Sequence, residues 1–411
     1  MHKLYNLSIY LYGLAINCAS LFNPKAKLWV GGRRNWKNNL PKIENNRELI
    51  WFHCASLGEF DQGLPVMRAL KESNSDLNIL VTFFSPSGML HYSKRNHCAD
   101  YVCYLPLDTP KNALFFINHF SPRKIFFVKY EFWINFINVA SNKGIPIYSI
   151  SANFRANQHF FKWYGTFFRK TLTQFSCFFV QNNDSEALLN SIGIKNVKMV
   201  GDTRFDQVIS TKNEFLNGIK AGKIDDSFIK IHNFLNGQKA IILGSSWPEE
   251  EKLIQNFILN TPEAKFIIAP HEISEQHIEY LENLFQGRCV RYTKISEKEL
   301  DQQCLILDTI GHLNKAYYFG KLAIVGGGFT GKLHNILEPA VFGLPVLFGP
   351  KNERFPEVKL FLENKIAFEF ENQNQLEELL KKMVVEDYSR NIELLVPTFA
   401  GASQKIVSVV N

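Results

Sequence analysis

The stretch that most constrains the fold is Val325–Pro350, VGGGFTGKLHNILEPAVFGLPVLFGP. Leu322–Val325 is a short apolar run, the pattern of a buried strand. Gly326, Gly327 and Gly328 follow it. Residues without a Cβ let the backbone turn sharply and let a ligand approach peptide N–H groups. Asn335–Phe342 then reads as a helix with Asn335 near its cap, and the unpaired N–H groups of a helix start suit a phosphate. Glu338, one turn deeper, is placed to accept hydrogen bonds from ribose hydroxyls. After a Gly-x-Pro turn the chain re-enters a strand. For the glycines alone, a tight strand-to-helix turn without a ligand is the alternative reading.

The same alternation runs through both halves of the chain. Strands are expected at 48–52, 78–84, 124–128, 145–151, 178–181 and 197–200, then at 240–243, 265–269 and 304–308. Residues 210–238 between them are polar and helical. The expected fold is α/β, with two doubly wound Rossmann-like domains facing a cleft. The expected order is an N-terminal membrane-anchoring segment (1–24), a first domain (25–209), a linker (210–238) and a second domain (239–411). Helices from about 373 to 410 are expected to pack back on the domains.

Open α/β sheets hold ligands at strand C-termini. Glu59 falls there, after the strand that ends at Phe52, in a loop before a helix over 61–73. A carboxylate so placed can act as a general base, or simply stabilise a helix start. Glu131 follows the strand 124–128. Ser85, Ser87 and Gly88 follow the strand 78–84, where hydroxyl and N–H groups can cup an anion or form a plain turn. Residues 152–170 mix Arg155, His159, Lys162, Arg169 and Lys170 with aromatic rings. Such a surface suits phosphates and acyl chains, or is an amphipathic core helix. No nucleic-acid fingerprint accompanies it, so no nucleic-acid partner is expected.

Of 411 residues, 46% are apolar, enough for two cores, and a net charge of +7 suits an anionic partner. The cysteines (18, 54, 98, 103, 177, 289, 304) are scattered among apolar residues without a C-x-x-C pair, which points to buried thiols rather than zinc or disulfides. Residues 4–22 are strongly apolar and are followed by Lys25, Lys27, Arg33, Arg34 and Lys37. A cleaved signal, a single span, an interfacial helix and a core helix all fit; uncleaved membrane attachment with the body in the cytoplasm is favoured.

The string GGG-x5-HN-x2-EP-x3-G-x-P-V resembles the nucleotide end of B-type glycosyltransferases, and most closely the bacterial 3-deoxy-D-manno-octulosonic acid (Kdo) transferases of lipopolysaccharide synthesis. W-x-H-x-x-S-x-G-E around Glu59 is similar to the segment that holds the family's catalytic glutamate. Lys129-Tyr130-Glu131-Phe132-Trp133 resembles Glu-x-Glu-Leu-Trp, with Lys129 in place of the first acid. Gly201-Asp202-Thr203-Arg204-Phe205-Asp206 resembles Gly-Asn-x-Lys-Phe-Asp, with Arg204 for the lysine. Pro270-His271 stands where the family has Pro-Arg, and Asp308-Thr309-Ile310-Gly311-His312 where it has Asp-Thr-Met-Gly-Glu.

The resemblance implies an inverting transfer of Kdo from CMP-Kdo onto a lipid A precursor (lipid IVA). Glu59 would be the general base, Glu131 and Arg204 transition-state supports. Pro270, His271, Ile310, Gly311, His312, Gly327, Gly328, Asn335, Ile336, Leu337 and Glu338 would hold CMP. Ser56, Gly58, Ser85, Ser87, Gly88 and Arg155 would hold the acceptor. It also implies an N-terminal anchor at the cytoplasmic face of the inner membrane, with the lipid surface as a partner. No His, Asp or Cys grouping has ligand spacing, so a metal-independent reaction with no cofactor is expected. Two rivals share the architecture: a UDP-sugar 2-epimerase-like isomerase and a non-catalytic nucleotide-sugar binder.

Overall fold

A computed structural model describes residues 1–43, 47–296 and 299–411. The chain divides into two compact units, one of residues 1–207 and 399–411, the other of 208–398. Each is built on a seven-stranded, wholly parallel sheet. The reason lies in the strands themselves. Leu49–Cys54 (β1) and Asn78–Phe83 (β2) are buried at every position, as strands covered by helices on both faces must be.

The first sheet continues with Tyr101–Tyr104 (β3), Lys124–Val128 (β4), Ile147–Ala152 (β5), Cys177–Val180 (β6) and Val197–Met199 (β7). Its order is β3-β2-β1-β4-β5-β6-β7, so the winding reverses between β1 and β4. The second sheet comprises Ala240–Ser246 (β8), Lys265–Pro270 (β9), Cys289–Arg291 (β10), Cys304–Ile306 (β11), Gly320–Val325 (β12), Val346–Phe348 (β13) and Ala367–Glu369 (β14). Its order is β10-β11-β9-β8-β12-β13-β14, with the reversal between β8 and β12. At such reversals the connections leave the sheet in opposite directions and open a crevice at the strand C-termini.

Three details differ from the sequence expectation. The segment expected as a helical linker, 210–238, forms helices (Thr203–Lys220 and Asp226–Leu235) but groups with the second unit from residue 208 onward. The final helix, Ala402–Val410, returns to the first unit, where Ile406 and Val410 join the core of β1, β2 and β4. Cys18 is exposed rather than buried.

The N-terminus forms two helices, His2–Ala19 (α1) and Pro24–Gly32 (α2). Among the described residues no helix is long and apolar enough to cross a membrane. Polar bonds hold α1 to the first unit. The Tyr5 hydroxyl donates to Asp108 at 2.5 Å, and Asn135 Nδ2 donates to Asn6 Oδ1 at 2.9 Å. Asp108 is fully buried and also accepts the backbone N–H groups of Asn135 and Phe136, both at 3.0 Å. Burial nevertheless pushes its carboxyl up to about 6.

Candidate functional site

Glu59 and Glu131 flank the reversal point of the first sheet. The helix after β1 begins at Leu57 (α3, Leu57–Ser73), four residues earlier than expected. Glu59 therefore lies inside its first turn, not in a loop. Its carboxylate reaches back to accept the N–H of Ala55, so the helix-start role is real. Its chemistry is altered all the same. Burial, and then the charge of Glu131, push the Glu59 carboxyl up to about 7, against the opposing pull of the Ala55 N–H and Lys129. That value suits a base at neutral pH.

Glu131 is 26% exposed and lies 3.8 Å from Nε2 of the fully buried His53. Lys129, two residues before Glu131, holds φ +61°, a left-handed conformation that a non-glycine residue adopts at a cost of about 1–3 kcal/mol. Ser151 near the end of β5 and Ser245 near the end of β8 share it, at φ +54° and +52°, each where the strand register slips. Bulges of this kind turn a strand end and re-aim the residues beyond it.

The acceptor candidates gather around the same strand ends. Ser85 N–H donates to the Ala55 carbonyl at 2.7 Å, tying the loop after β2 to the segment that carries Ser56, Gly58 and Glu59. Ser85 caps the short helix Pro86–His91 (α4), and its hydroxyl lies 3.0 Å from that of Ser87. Ser56 occupies the cap position of α3 without a side-chain capping bond, and Gly58 faces open space. Gly88 has a packing reason: a Cβ there would sit 2.1 Å from the Phe83 ring. Arg155 is exposed, and its charge reaches Tyr130, next to Glu131. Arg204 opens the helix after β7, and Thr203 beside it bonds the Gln62 carbonyl in α3 at 2.7 Å. Asp202 already takes Arg204 Nε at 2.9 Å and Nη2 at 2.6 Å, so part of that positive charge is neutralised within the chain.

In the second unit the glycine loop follows β12, at the reversal point. Backbone packing dictates all three glycines. A Cβ on Gly326 would lie 2.1 Å from the Ser245 carbonyl, on Gly327 2.2 Å from the Lys332 carbonyl, and on Gly328 2.4 Å from the Gly349 nitrogen. The Gly327 N–H donates to Glu250 Oε1 at 2.9 Å, so that donor is committed inside the protein. The helix expected over 335–342 is only Leu337–Val341. Its first N–H is taken by the Asn335 side chain at 3.1 Å, which also donates to Glu338 Oε1 at 3.1 Å. A five-residue helix carries little dipole, so the phosphate-binding argument from the helix start falls away. Asn335 and Glu338 remain, linked and partly exposed. Ile336 and Leu337 are buried, which leaves only their backbone for a ligand.

Pro270 ends β9, and His271 beyond it is exposed and stacks on Trp247 at 4.6 Å with 14° between planes. His334 lies 4.6 Å from His271, and Trp247 Nε1 donates to His334 Nε2 at 3.4 Å. Burial and the neighbouring His271 lower the His334 imidazole to about 4, so it is neutral near pH 7. Lys332 Nζ sits 5.4 Å over the Trp247 ring. Where the resembling family has an arginine, this chain thus presents an aromatic stack with one lysine beside it. Ile310, 87% exposed, Gly311 at φ +102° and His312 lie beyond β11. Strands β9 and β8 lie between β11 and β12.

Several residues that shape these sites were not assigned a role from the sequence: His53, Trp247, Glu250 and His334, while Trp133 stood only as a matching position of the string around Glu131. His53 and His334 stand inside the motif strings, which was the available signal. Among the described residues, no group of three or more His, Cys, Asp or Glu side chains is arranged to hold a metal ion.

Two doubly wound parallel units, each with polar groups at its reversal point, define a two-domain α/β fold similar to the B-type glycosyltransferases. The solved UDP-GlcNAc 2-epimerase from Neisseria meningitidis bound to UDP-GlcNAc shares this fold, with a TM-score of 0.65 and 17% identity over 88% of this chain and 98% of that one. Residues 33–207 match the family model for 3-deoxy-D-manno-octulosonic-acid transferase (kdotransferase). The 3-deoxy-D-manno-octulosonic acid transferase of Aquifex aeolicus is 28% identical over 87% of this chain and 94% of its own length. That of Haemophilus influenzae is 26% identical over 75% of this chain and 72% of its own. Residues 33–207 are thus similar to the Kdo transferase family, and along most of its length the chain is similar to glycosyltransferases of that name.

Proposed function

We propose that this protein transfers Kdo from CMP-Kdo to a sugar hydroxyl of a lipid A precursor, with inversion at the anomeric carbon. The observation that carries the reading is the Glu59–Glu131 pair at the reversal point, with the Glu59 carboxyl held near neutrality. In this reading Glu59 removes the acceptor proton as the hydroxyl oxygen bonds the anomeric carbon. The bond from that carbon to the phosphate oxygen breaks, and CMP leaves with the electron pair. Glu131 and Arg204 steady the developing charge. The second unit holds the nucleotide: the backbone at 310–312 for the base, Asn335 and Glu338 for the ribose, and His271 with Lys332 nearer the phosphate. The reading invokes no cofactor.

Purified protein incubated with CMP-Kdo, generated in situ, and lipid IVA tests this directly. Mass spectrometry should show the acceptor gaining a Kdo residue. An unchanged lipid, with a UDP-sugar inverted at C2 instead, overturns the proposal in favour of an isomerase.

We also propose attachment to the cytoplasmic face of the inner membrane through α1. Leu4, Leu7, Leu11 and Leu14 form one exposed stripe, while Ile9 and Gly13 face the protein. Residues 1–43 contain seven Lys and Arg and no Asp or Glu; the remaining 39 basic residues match 39 acids, so this segment accounts for the whole net charge. An apolar stripe edged by unopposed positive charge fits an anionic lipid surface. Changing Leu7, Leu11 and Leu14 together to glutamine should lower binding to phosphatidylglycerol-containing vesicles by more than about 10²-fold in a sedimentation assay. Undiminished binding, or equal binding to neutral phosphatidylcholine vesicles, rules out this mode of attachment.

A further inference from the structure

His53, next to last in β1, is fully inaccessible to solvent. Its contacts fix which ring nitrogen carries the proton. Trp133 Nε1 lies 2.9 Å from His53 Nε2. An indole nitrogen only donates, so Nε2 must offer its lone pair. The proton is then on Nδ1, which donates to Thr82 Oγ1 at 2.8 Å. That oxygen also accepts Trp51 Nε1 at 2.8 Å, so Trp51 and Thr82 hold the far side of the ring in place. Glu131 Oε2 approaches the same Nε2 to 3.8 Å. With a lone pair there instead of an N–H, the contact is not an ion pair, despite its length.

Trp133 is itself held. Its ring packs on Phe84 at 4.6 Å, and Phe84 stacks on Tyr12 of α1 at 6.2 Å. Arg33 covers Phe84 from the side at 4.9 Å. The indole N–H is thus presented to His53 by a packed series of rings that begins on the N-terminal helix.

We propose that Trp133 is a positioning residue that withholds the His53 imidazole from Glu131, so that the Glu131 carboxylate acts undiminished on Glu59. The catalytic consequence rests on the reading of Glu59 as the base; the tautomer itself does not. The other groups that bear on the pair are Lys129 and Tyr130 after β4, Cys54 of β1, the Ala55 and Ser56 N–H groups, and Tyr12 of α1 with Arg33 behind it. They act on the two carboxyls through charge and hydrogen bonds, whereas the proton position on His53 is set by Trp133 and Thr82.

Trp133→Phe keeps an aromatic ring on Phe84 and deletes the donor. Nε2 can then take a proton and pair with Glu131, and less negative charge is felt by Glu59. The acidic limb of the kcat/KM profile for Kdo transfer should move to lower pH by about one unit. Adding His53→Asn to that variant should return the limb to its original position, because the amide cannot carry a charge. An unmoved limb in Trp133→Phe, or a shift that persists in the double variant, overturns the proposal; a rise in KM alone would mark Trp133 as a packing wall. The second arm needs no substrate. In 15N-labelled protein at pH 7, His53 should show a protonated Nδ1 and a bare Nε2. An imidazolium or an Nε2–H signal overturns the proposal even if the transfer reaction itself is misassigned.

Discussion

Glu59→Gln is expected to lower sugar transfer by about 10³-fold while nucleotide binding to the second unit is unchanged. Glutamine keeps the shape and an oxygen for the Ala55 N–H, so α3 retains its cap, but it cannot take a proton. The same substitution should have a second, opposite effect on stability. The Glu59 carboxyl moves from 4.5 to about 7 on folding, so the folded chain holds that proton more tightly than the unfolded chain. Ionisation therefore opposes folding. The penalty is absent below pH 4.5, grows between 4.5 and 7, and is complete above 7. Discounted for partial exposure, Glu59→Gln should stabilise the first unit by on the order of 1–2 kcal/mol at pH 8 and by nothing at pH 4. Thermal unfolding at the two pH values reads this. A variant that is equally stable relative to wild type at both would show that Glu59 is an ordinary cap, and residual transfer above about a tenth of wild type would remove it as the base.

The positions of Glu59 and Glu131 were legible because each follows an uninterrupted apolar run, and such runs are strands buried on both faces. What placed the two acids side by side was not legible. Parallel pairing joins β1 to β4 across some 70 residues of chain, and no local pattern encodes that order. Strands β3, β10 and β14 escaped notice for a related reason: three or four residues at or near a sheet edge leave too short a run to stand out. The helix at 335–342 was overextended because Asn335 looks like a cap. It is one, but for Leu337, and Gly343 at φ +83° ends the helix soon after. The glycines drew attention as phosphate ligands, yet their spacing answers first to backbone packing. Glu249, Glu250 and Glu251 show where sequence runs out. All three stand in the first turn of the helix Pro248–Asn260. In the fold Glu249 faces solvent, Glu250 binds the glycine loop, and Glu251 takes the Ser246 hydroxyl at 2.7 Å and His277 at 3.0 Å.

Glu250 is where the largest effect in the second unit is expected. Its side chain is 1% exposed; Oε1 accepts the Gly327 N–H at 2.9 Å and Oε2 the Trp247 N–H at 3.1 Å. One carboxylate therefore fixes two strand ends, those of β12 and β8, on either side of the reversal point. Burial raises its carboxyl above the usual range, and the two backbone donors oppose that. Glu250→Gln must turn an NH2 group toward one of these N–H groups. A bond to a charged acceptor is lost and a buried donor is left unsatisfied, together worth about 2–4 kcal/mol. The glycine loop and the Trp247–His271 stack then lose their common anchor, so CMP affinity should fall at least about 10-fold. Hydrogen exchange at the Gly327 amide should accelerate by about 10²-fold, and calorimetry should report the weaker nucleotide binding. Glu249→Gln, one residue earlier and exposed, is the control and should change neither quantity. If Glu250→Gln leaves the Gly327 amide as protected as in wild type, the carboxylate does not hold the loop, and that end of the second unit is organised by the glycine packing alone.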